Sequence, residues 1–144
     1  MSTASAWSVA LNGIEGAMVE VEVAEGGGLP RTVLVGLPDA ALSQAKERVR
    51  AAVTGAELPW PNGLVTINLS PANLPKTGTH YDLAIATAAL AAIDKVPKEA
   101  ARNHVCLGEL GLDGRLRRVP GILPALLAAV RSGFDKVIVP ASQE

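Results

Sequence analysis

Two periodicities divide the chain. From Ala17 to Val23 the order Ala-Met-Val-Glu-Val-Glu-Val repeats every two residues, the spacing of a strand with one buried and one solvated face. Val19, Val21 and Val23 are expected to face the core, and Glu20 and Glu22 the solvent. Trp7–Leu11, Thr32–Val35 and Leu64–Leu69 are further β-prone runs, and Gly26-Gly27-Gly28-Leu29-Pro30 is a flexible turn between two of them. Between Ala40 and Thr54 the period changes. Leu42, Ala45, Val49, Ala52 and Val53 recur at helical spacing, which predicts an amphipathic helix entered through Pro38 and Asp39. Lys46, Glu47, Arg48 and Arg50 fall mostly elsewhere and give that helix a basic outer surface.

The second half continues in the same two registers. Thr79-His80-Tyr81-Asp82 fits a Ser/Thr-x-x-acid cap, with Thr79 accepting a backbone N–H and Asp82 near the positive helix end. The helix it opens runs to about Ile93 and is apolar nearly all round, so burial is expected. Asp94–Asn103 reads as a polar connector. His104–Leu107 and Leu116–Val119 read as strands about a Gly111-Leu112-Asp113-Gly114 hairpin turn. A third helix spans about Ile122–Arg131, with Leu123, Leu126, Leu127 and Val130 on one face and Gly133 as its stop. Val137–Val139 is the last strand. This order predicts a mixed α/β (α+β) domain with about three helices on a largely shared sheet. At 144 residues it is the size of one domain, 1–144, with its core at about 7–140.

Composition narrows the chemistry. The net charge is −1 and aromatics make up 3% of the chain, so neither a global positive field nor an aromatic stacking platform is available for nucleic acid. Any such contact has to be local and electrostatic. The single cysteine, Cys106, excludes an internal disulfide and a multi-cysteine zinc site. The N-terminus lacks the basic and apolar regions of a secretion signal, and the longest apolar stretches, Leu83–Ile93 and Ile122–Val130, are too short to span a bilayer. A cytoplasmic domain without a membrane partner is expected.

The loop Pro75-Lys76-Thr77-Gly78-Thr79 follows a strand and opens a helix, as a phosphate loop does. The phosphate-loop order is G-x-x-x-x-G-K-[ST], whereas here Lys-Thr precedes Gly and no first glycine stands at the required spacing. A tight turn feeding a capped helix is the favoured reading, and an anion could still dock at that helix start. His80, His104 and Cys106 are the only soft ligands and do not make up a tetrahedral set. No G-x-S-x-G elbow is present, and Cys106 in an apolar strand reads as a core residue. Two basic groupings remain: Lys46, Arg48 and Arg50 on the first helix, and Arg115, Arg117 and Arg118 in the hairpin, with Arg115 and Arg117 expected on one strand face. Each could meet DNA phosphates or an acidic subunit surface, or form a solvated face.

Five motifs carry a resemblance: Gly36-Leu37-Pro38-Asp39, Glu47-Arg48-Val49-Arg50-Ala51-Ala52, Asn68 through Gly78, Tyr81-Asp82-Leu83-Ala84-Ile85-Ala86, and Gly108-Glu109-Leu110-Gly111-Leu112-Asp113-Gly114. In this order they resemble the N-terminal domain of the magnesium-chelatase-like AAA+ ATPases of the ComM/YifB family, over about Trp7 to Pro140. Pro75, Lys76, Gly78 and Asp82 are the family-motif loop positions. The family's usual pattern has proline near Arg118, so the turn there is expected to differ.

The resemblance implies a Lon-protease-like domain of the ribosomal-protein-S5 domain-2-like superfold, followed by an AAA+ motor that would hold ATP and Mg2+. It also implies a homo-oligomeric ring in which the domain meets its own motor and neighbouring subunits, and an association with DNA branch migration and recombination. Lon proteases carry Pro-Lys-Asp-Gly-Pro-Ser-Ala-Gly with a serine nucleophile; laid on this chain, the serine falls on His80 and the catalytic lysine on Leu123. With both halves of the dyad replaced and no phosphate loop, no catalytic, cofactor or metal site is expected in these residues. The expected role is that of an accessory domain. The alternatives are a divergent peptidase using Thr79 or Ser70 with Lys76 as base, and a pure oligomerisation or protein-interaction module.

Overall fold

The computed structural model describes residues 2–12, 15–36 and 38–143. Its elements in chain order are β1 (Ser2–Asn12), β2 (Glu15–Gly26), β3 (Arg31–Val35), α1 (Ala40–Ser43), α2 (Ala45–Gly55), β4 (Leu64–Ser70), α3 (Asp82–Ala92), α4 (Lys98–Arg102), β5 (Val105–Cys106), β6 (Glu109–Leu110), β7 (Leu116–Arg117), α5 (Ile122–Arg131) and β8 (Val137–Ile138), closed by a 3-10 turn at Ala141–Gln143. A six-stranded sheet has the order β3-β4-β2-β1-β5-β8, and β6 and β7 form a separate hairpin. The sheet is mixed: β1 and β4 run antiparallel to β2, while β3 is parallel to β4 and β5 is parallel to β1.

The two-residue alternation of β2 behaves as expected, with Val19, Val21 and Val23 fully buried. In β1, Ala4, Ala6 and Ala10 enter the larger core cluster while Val9 enters a smaller one with Val105, Leu107, Ala125, Ala128 and Ala129. Because successive side chains of a strand point to opposite faces, these two clusters lie on the two sides of the sheet. α2 and α3 supply the larger cluster and α5 the smaller. The mixed α/β expectation stands, as a sheet covered on both faces.

Several boundaries differ from expectation. β1 begins at Ser2 rather than Trp7 and carries the core out to Ala4 and Ala6, because β2 pairs with it along its whole length, from Ser2 opposite Glu25 to Asn12 opposite Glu15. The single helix expected over Ala40–Thr54 is two, interrupted at Gln44, whose N–H turns back to Leu42 O. The polar connector Asp94–Asn103 contains the short helix α4, which buries Ala101. Among the described residues five α-helices therefore stand where about three were expected, although the three longest are the expected ones. β7 is confined to Leu116–Arg117. Leu37 of the Gly36-Leu37-Pro38-Asp39 motif lies outside the described residues.

The orientation of α5 is left open by its apolar pattern. Its leucine face points outward: Leu123 is 67% exposed, Leu127 48% and Val130 66%, while Ala125, Ala128 and Ala129 are buried. Close packing is the reason. A Cβ placed on Gly16 of β2 would lie 2.7 Å from the Ala128 Cβ and 2.8 Å from a Val9 methyl, so only small side chains fit between α5 and the β1–β2 hairpin. The alanines take the inner face, Leu126 is half-buried, and Leu123, Leu127 and Val130 are left outside.

Candidate functional site

The motif loop between β4 and α3, with the first residue of α3, is fastened to four other segments through its polar groups. Asp39 caps α1, its Oδ1 accepting from Leu42 N–H at 2.8 Å. Its Oδ2 accepts from Gly78 N–H at 3.3 Å, and its own N–H donates to Lys76 O at 2.9 Å. The helix-start carboxylate expected at Asp39 is thus also the tie between the α1 entry and the loop. Gly78 has φ +102°, a backbone region open to glycine at little cost. Lys76 is fully buried and its ammonium donates to Pro71 O. Burial pushes the Lys76 pKa down.

Thr79 does not cap the next helix. α3 starts at Asp82, with Tyr81 at the cap position and no side-chain cap bond. The Asp82 carboxylate is taken up elsewhere. Arg48 of α2 grips it bidentately, Nε to Oδ2 at 2.6 Å and Nη2 to Oδ1 at 2.7 Å, and Oδ2 also accepts from Leu110 N–H at 3.0 Å. This forked pairing joins α2, α3 and the β6–β7 hairpin at one buried point. Asp82 holds the Arg48 guanidinium pKa up. For Asp82 itself, burial pushes the carboxyl up, against the downward pull of Arg48 and the Leu110 N–H.

The two positions where the Lon resemblance places a dyad carry no such chemistry. His80 is buried and its Nε2 lies 2.6 Å from Val9 O. Burial pushes its pKa down, so the neutral ring is favoured with the Nε2 proton donated to that carbonyl. Leu123 stands on the outer face of α5. Among the described residues no hydrogen bond joins Lys76 to Ser70 or Thr79, and the Ser70 hydroxyl accepts from Asn68 Nδ2 at 3.3 Å. Two buried hydroxyls, Ser8 Oγ and Tyr81 OH, have no partner among the described residues. Cys106 is buried, 3.9 Å from Thr87 Oγ1, and burial pushes its thiol up to about 11. His104 Nδ1 lies 2.7 Å from Ala100 O.

The basic groupings are not what the sequence pattern suggests. Arg48 is turned inward to Asp82 and leaves the first grouping, so Lys46, half-buried, and Arg50, exposed, remain. In the second, Arg115, Arg117 and Arg118 are exposed. Arg115 precedes β7 instead of sharing its face with Arg117, and its guanidinium lies 3.9 Å from Asp113. The Arg117 guanidinium folds over the turn at Gly111, where a Cβ would come within 2.6 Å of its Nε. The Arg115 N–H, and then Arg117 and Arg115 by charge, hold the Asp113 carboxyl below the usual range. The second grouping is therefore partly neutralised by its own turn. Sequence reasoning missed the inward use of Arg48 and the linking role of Asp39, both of which depend on partners over 30 residues away.

The family model described as "Subunit ChlI of Mg-chelatase" matches residues 19–143. An uncharacterised protein of Mycobacterium tuberculosis strain H37Rv is 52% identical over 141 residues, covering 98% of this chain and 28% of its own length. Competence protein ComM of Haemophilus influenzae is 40% identical over 138 residues, 96% of this chain and 27% of that protein. YifB of Escherichia coli K12, described as uncharacterised, is 40% identical over 132 residues, 92% of this chain and 26% of its own. The chain thus spans between a quarter and a third of the length of these relatives.

Proposed function

Because the chain belongs to the Mg-chelatase ChlI-like family, a ChlI- and Lon-like α/β domain with ComM and YifB among its relatives, we propose that it is a non-catalytic accessory domain of an AAA+ ATPase. In this reading it supports ring assembly by a motor that handles DNA in recombination or branch migration, in the cytoplasm. The observation that carries the reading is the outer face of α5. Leu123, Leu127 and Val130 form a stripe of large apolar side chains turned to solvent, and a contiguous surface of that kind marks a contact region. A domain between its own motor and a neighbouring subunit has a use for such a face; an isolated globule does not.

ATP and Mg2+ belong to the motor in this reading. The Pro75–Thr79 loop does not fit them, because Lys76, the only lysine of the loop, is spent on Pro71 O inside the fold. Among the described residues no helix is long and apolar enough to cross a membrane.

The test replaces Leu123 and Leu127 together by glutamate in a protein that carries this domain together with its motor and follows mass by light scattering with ATP present. Loss of the ring with unchanged circular dichroism is expected. Retention of the full assembly refutes the docking role. The peptidase alternative predicts specific labelling of Ser70 or Thr79 by a fluorophosphonate probe, whereas the accessory reading predicts none.

A further inference from the structure

A cleft distant from the motif loop gathers cations without anions. Arg31 at the start of β3, Arg50 and Thr54 on α2, Thr32, and Trp60 and Asn62 of the loop before β4 line a polar cleft of about 120 Å³. Both arginines are exposed, and neither makes an ion pair among the described residues. Among the described residues no carboxylate lines the cleft. Glu47, one turn before Arg50, lines the neighbouring outer face of α2 together with it. A second polar cleft, at Ser5, Lys98 and Arg102, differs in having Glu22 in its wall. Two uncompensated guanidinium groups in one depression, inside a chain of net charge −1, create a local positive field where the global one is absent.

The walls are fixed before any ligand arrives. Arg31 N–H donates to Gly63 O at 3.1 Å, and Gly63 sits so close to β2 that a Cβ there would lie 2.4 Å from Gly26 O. Trp60 packs against the larger core cluster, so its ring closes one side of the cleft and is not free to stack. The volume is below the roughly 300 Å³ at which small-molecule pockets begin, too small for a nucleoside and suited to a single tetrahedral anion. Guanidinium forks match phosphate oxygens in pairs, and the hydroxyls of Thr32 and Thr54 and the amide of Asn62 add neutral donors.

We propose that the Arg31–Arg50 cleft is a phosphate site, and that it takes a backbone phosphate of a DNA strand. The strand as the source of the phosphate rests on the DNA-handling reading above; the phosphate chemistry rests on the cleft alone. Such a contact positions a strand and does not read its sequence.

The experiment measures binding of a fluorescein-labelled oligothymidylate to the full chain by anisotropy across a salt series. Three proteins are compared: the wild type, Arg31→Gln/Arg50→Gln, and Arg115→Gln/Arg117→Gln. All four substituted side chains are exposed, so the fold is retained. The cleft variant is expected to lose affinity roughly five-fold near 0.1 M salt and to flatten the log–log salt slope by about 0.7, the value for the one single-strand phosphate the cleft holds. The hairpin variant should stay near wild type. If only the hairpin variant weakens, the cleft assignment falls and the DNA reading stands. If the wild type binds no strand, that reading and the strand assignment fall together. Inorganic phosphate is titrated in parallel against Trp60 emission, in a Trp7→Phe background; a response to phosphate with none to the strand assigns the site to a free anion and overturns the strand as its ligand.

Discussion

Replacing Arg48 by methionine tests the junction of α2, α3 and the hairpin. The Asp82 carboxylate is wholly buried and Arg48 is 19% exposed, and they meet through two bonds of 2.6 and 2.7 Å. Arg48→Met keeps the length of the aliphatic stem but leaves a buried carboxylate with Leu110 N–H as its remaining partner. Removing one side of a buried pair costs about 3–5 kcal/mol. Asp82→Asn should cost less, about 1–3 kcal/mol, because the amide oxygen still accepts from Leu110 and the arginine can reach water on its exposed side. The double variant should cost less than the sum of the singles by about 1–3 kcal/mol, the coupling expected of groups in direct contact. Urea unfolding followed by circular dichroism measures all four proteins, and m-values near wild type show that the comparison is valid. For a chain of this length Arg48→Met corresponds to a melting point lower by roughly 10 °C. Single-variant losses below about 1 kcal/mol that simply add would refute the view that this pair holds the three elements together.

Other consequences follow from individual side chains. His80 is neutral and buried with its pKa below the ordinary 6.5, so the unfolded chain binds a proton more readily than the folded one. Its contribution to stability is complete above pH 6.5 and is lost as pH falls from there through the lower folded value. His80→Gln, which keeps a donor for Val9 O, should flatten urea midpoints measured between pH 5 and 7. Gly36 has φ +116° and a Cβ there would lie 2.3 Å from Leu69 O; Gly36→Ala should cost about 2–4 kcal/mol. At Gly27, with nothing within 4 Å of the added Cβ, the same change should stay within about 0.5 kcal/mol in the same unfolding assay. The Cys106 thiol, buried and raised to about 11, should resist a disulfide reagent in the native state and react on addition of denaturant; rapid native labelling would contradict its burial.

Local signals were legible where one residue's environment is set by its chain neighbours. The alternation of β2 and the Asp-Gly turn at Asp113-Gly114 are of this kind, and so is the all-apolar α3, which the structure buries almost completely. Hydrophobic periodicity identified a face on α5 without fixing which side of the helix meets the sheet. An apolar stripe does not say whether the leucines or the opposing alanines meet the sheet. That was decided by the close approach at Gly16, a contact across more than a hundred residues. The capping pattern at Thr79 failed for a similar reason: Asp82 has a stronger use in Arg48, 34 residues earlier, and tertiary pairing overrode the local box. A basic stripe on a helix likewise conceals which of its members has a buried partner.

The polar groups of the motif loop act within the fold, and the surfaces left for work outside it lie elsewhere. Asp39, Lys76, His80 and Asp82 each bond to a group of the protein itself, in keeping with the accessory role proposed above. Two of the exposed features are the apolar face of α5 and the Arg31–Arg50 cleft. α5 packs on the side of the sheet that holds the smaller core cluster, and α2, which carries Arg50, packs on the side that holds the larger. A subunit seated on α5 therefore need not cover the cleft. Assembly and strand binding should then be separable by mutation: Arg31→Gln/Arg50→Gln should assemble as wild type while binding a strand weakly, and Leu123→Glu/Leu127→Glu should lose the ring while retaining the phosphate response of Trp60. If either variant impaired both properties equally, the two surfaces would be parts of one contact, and the division of labour across the sheet would be wrong.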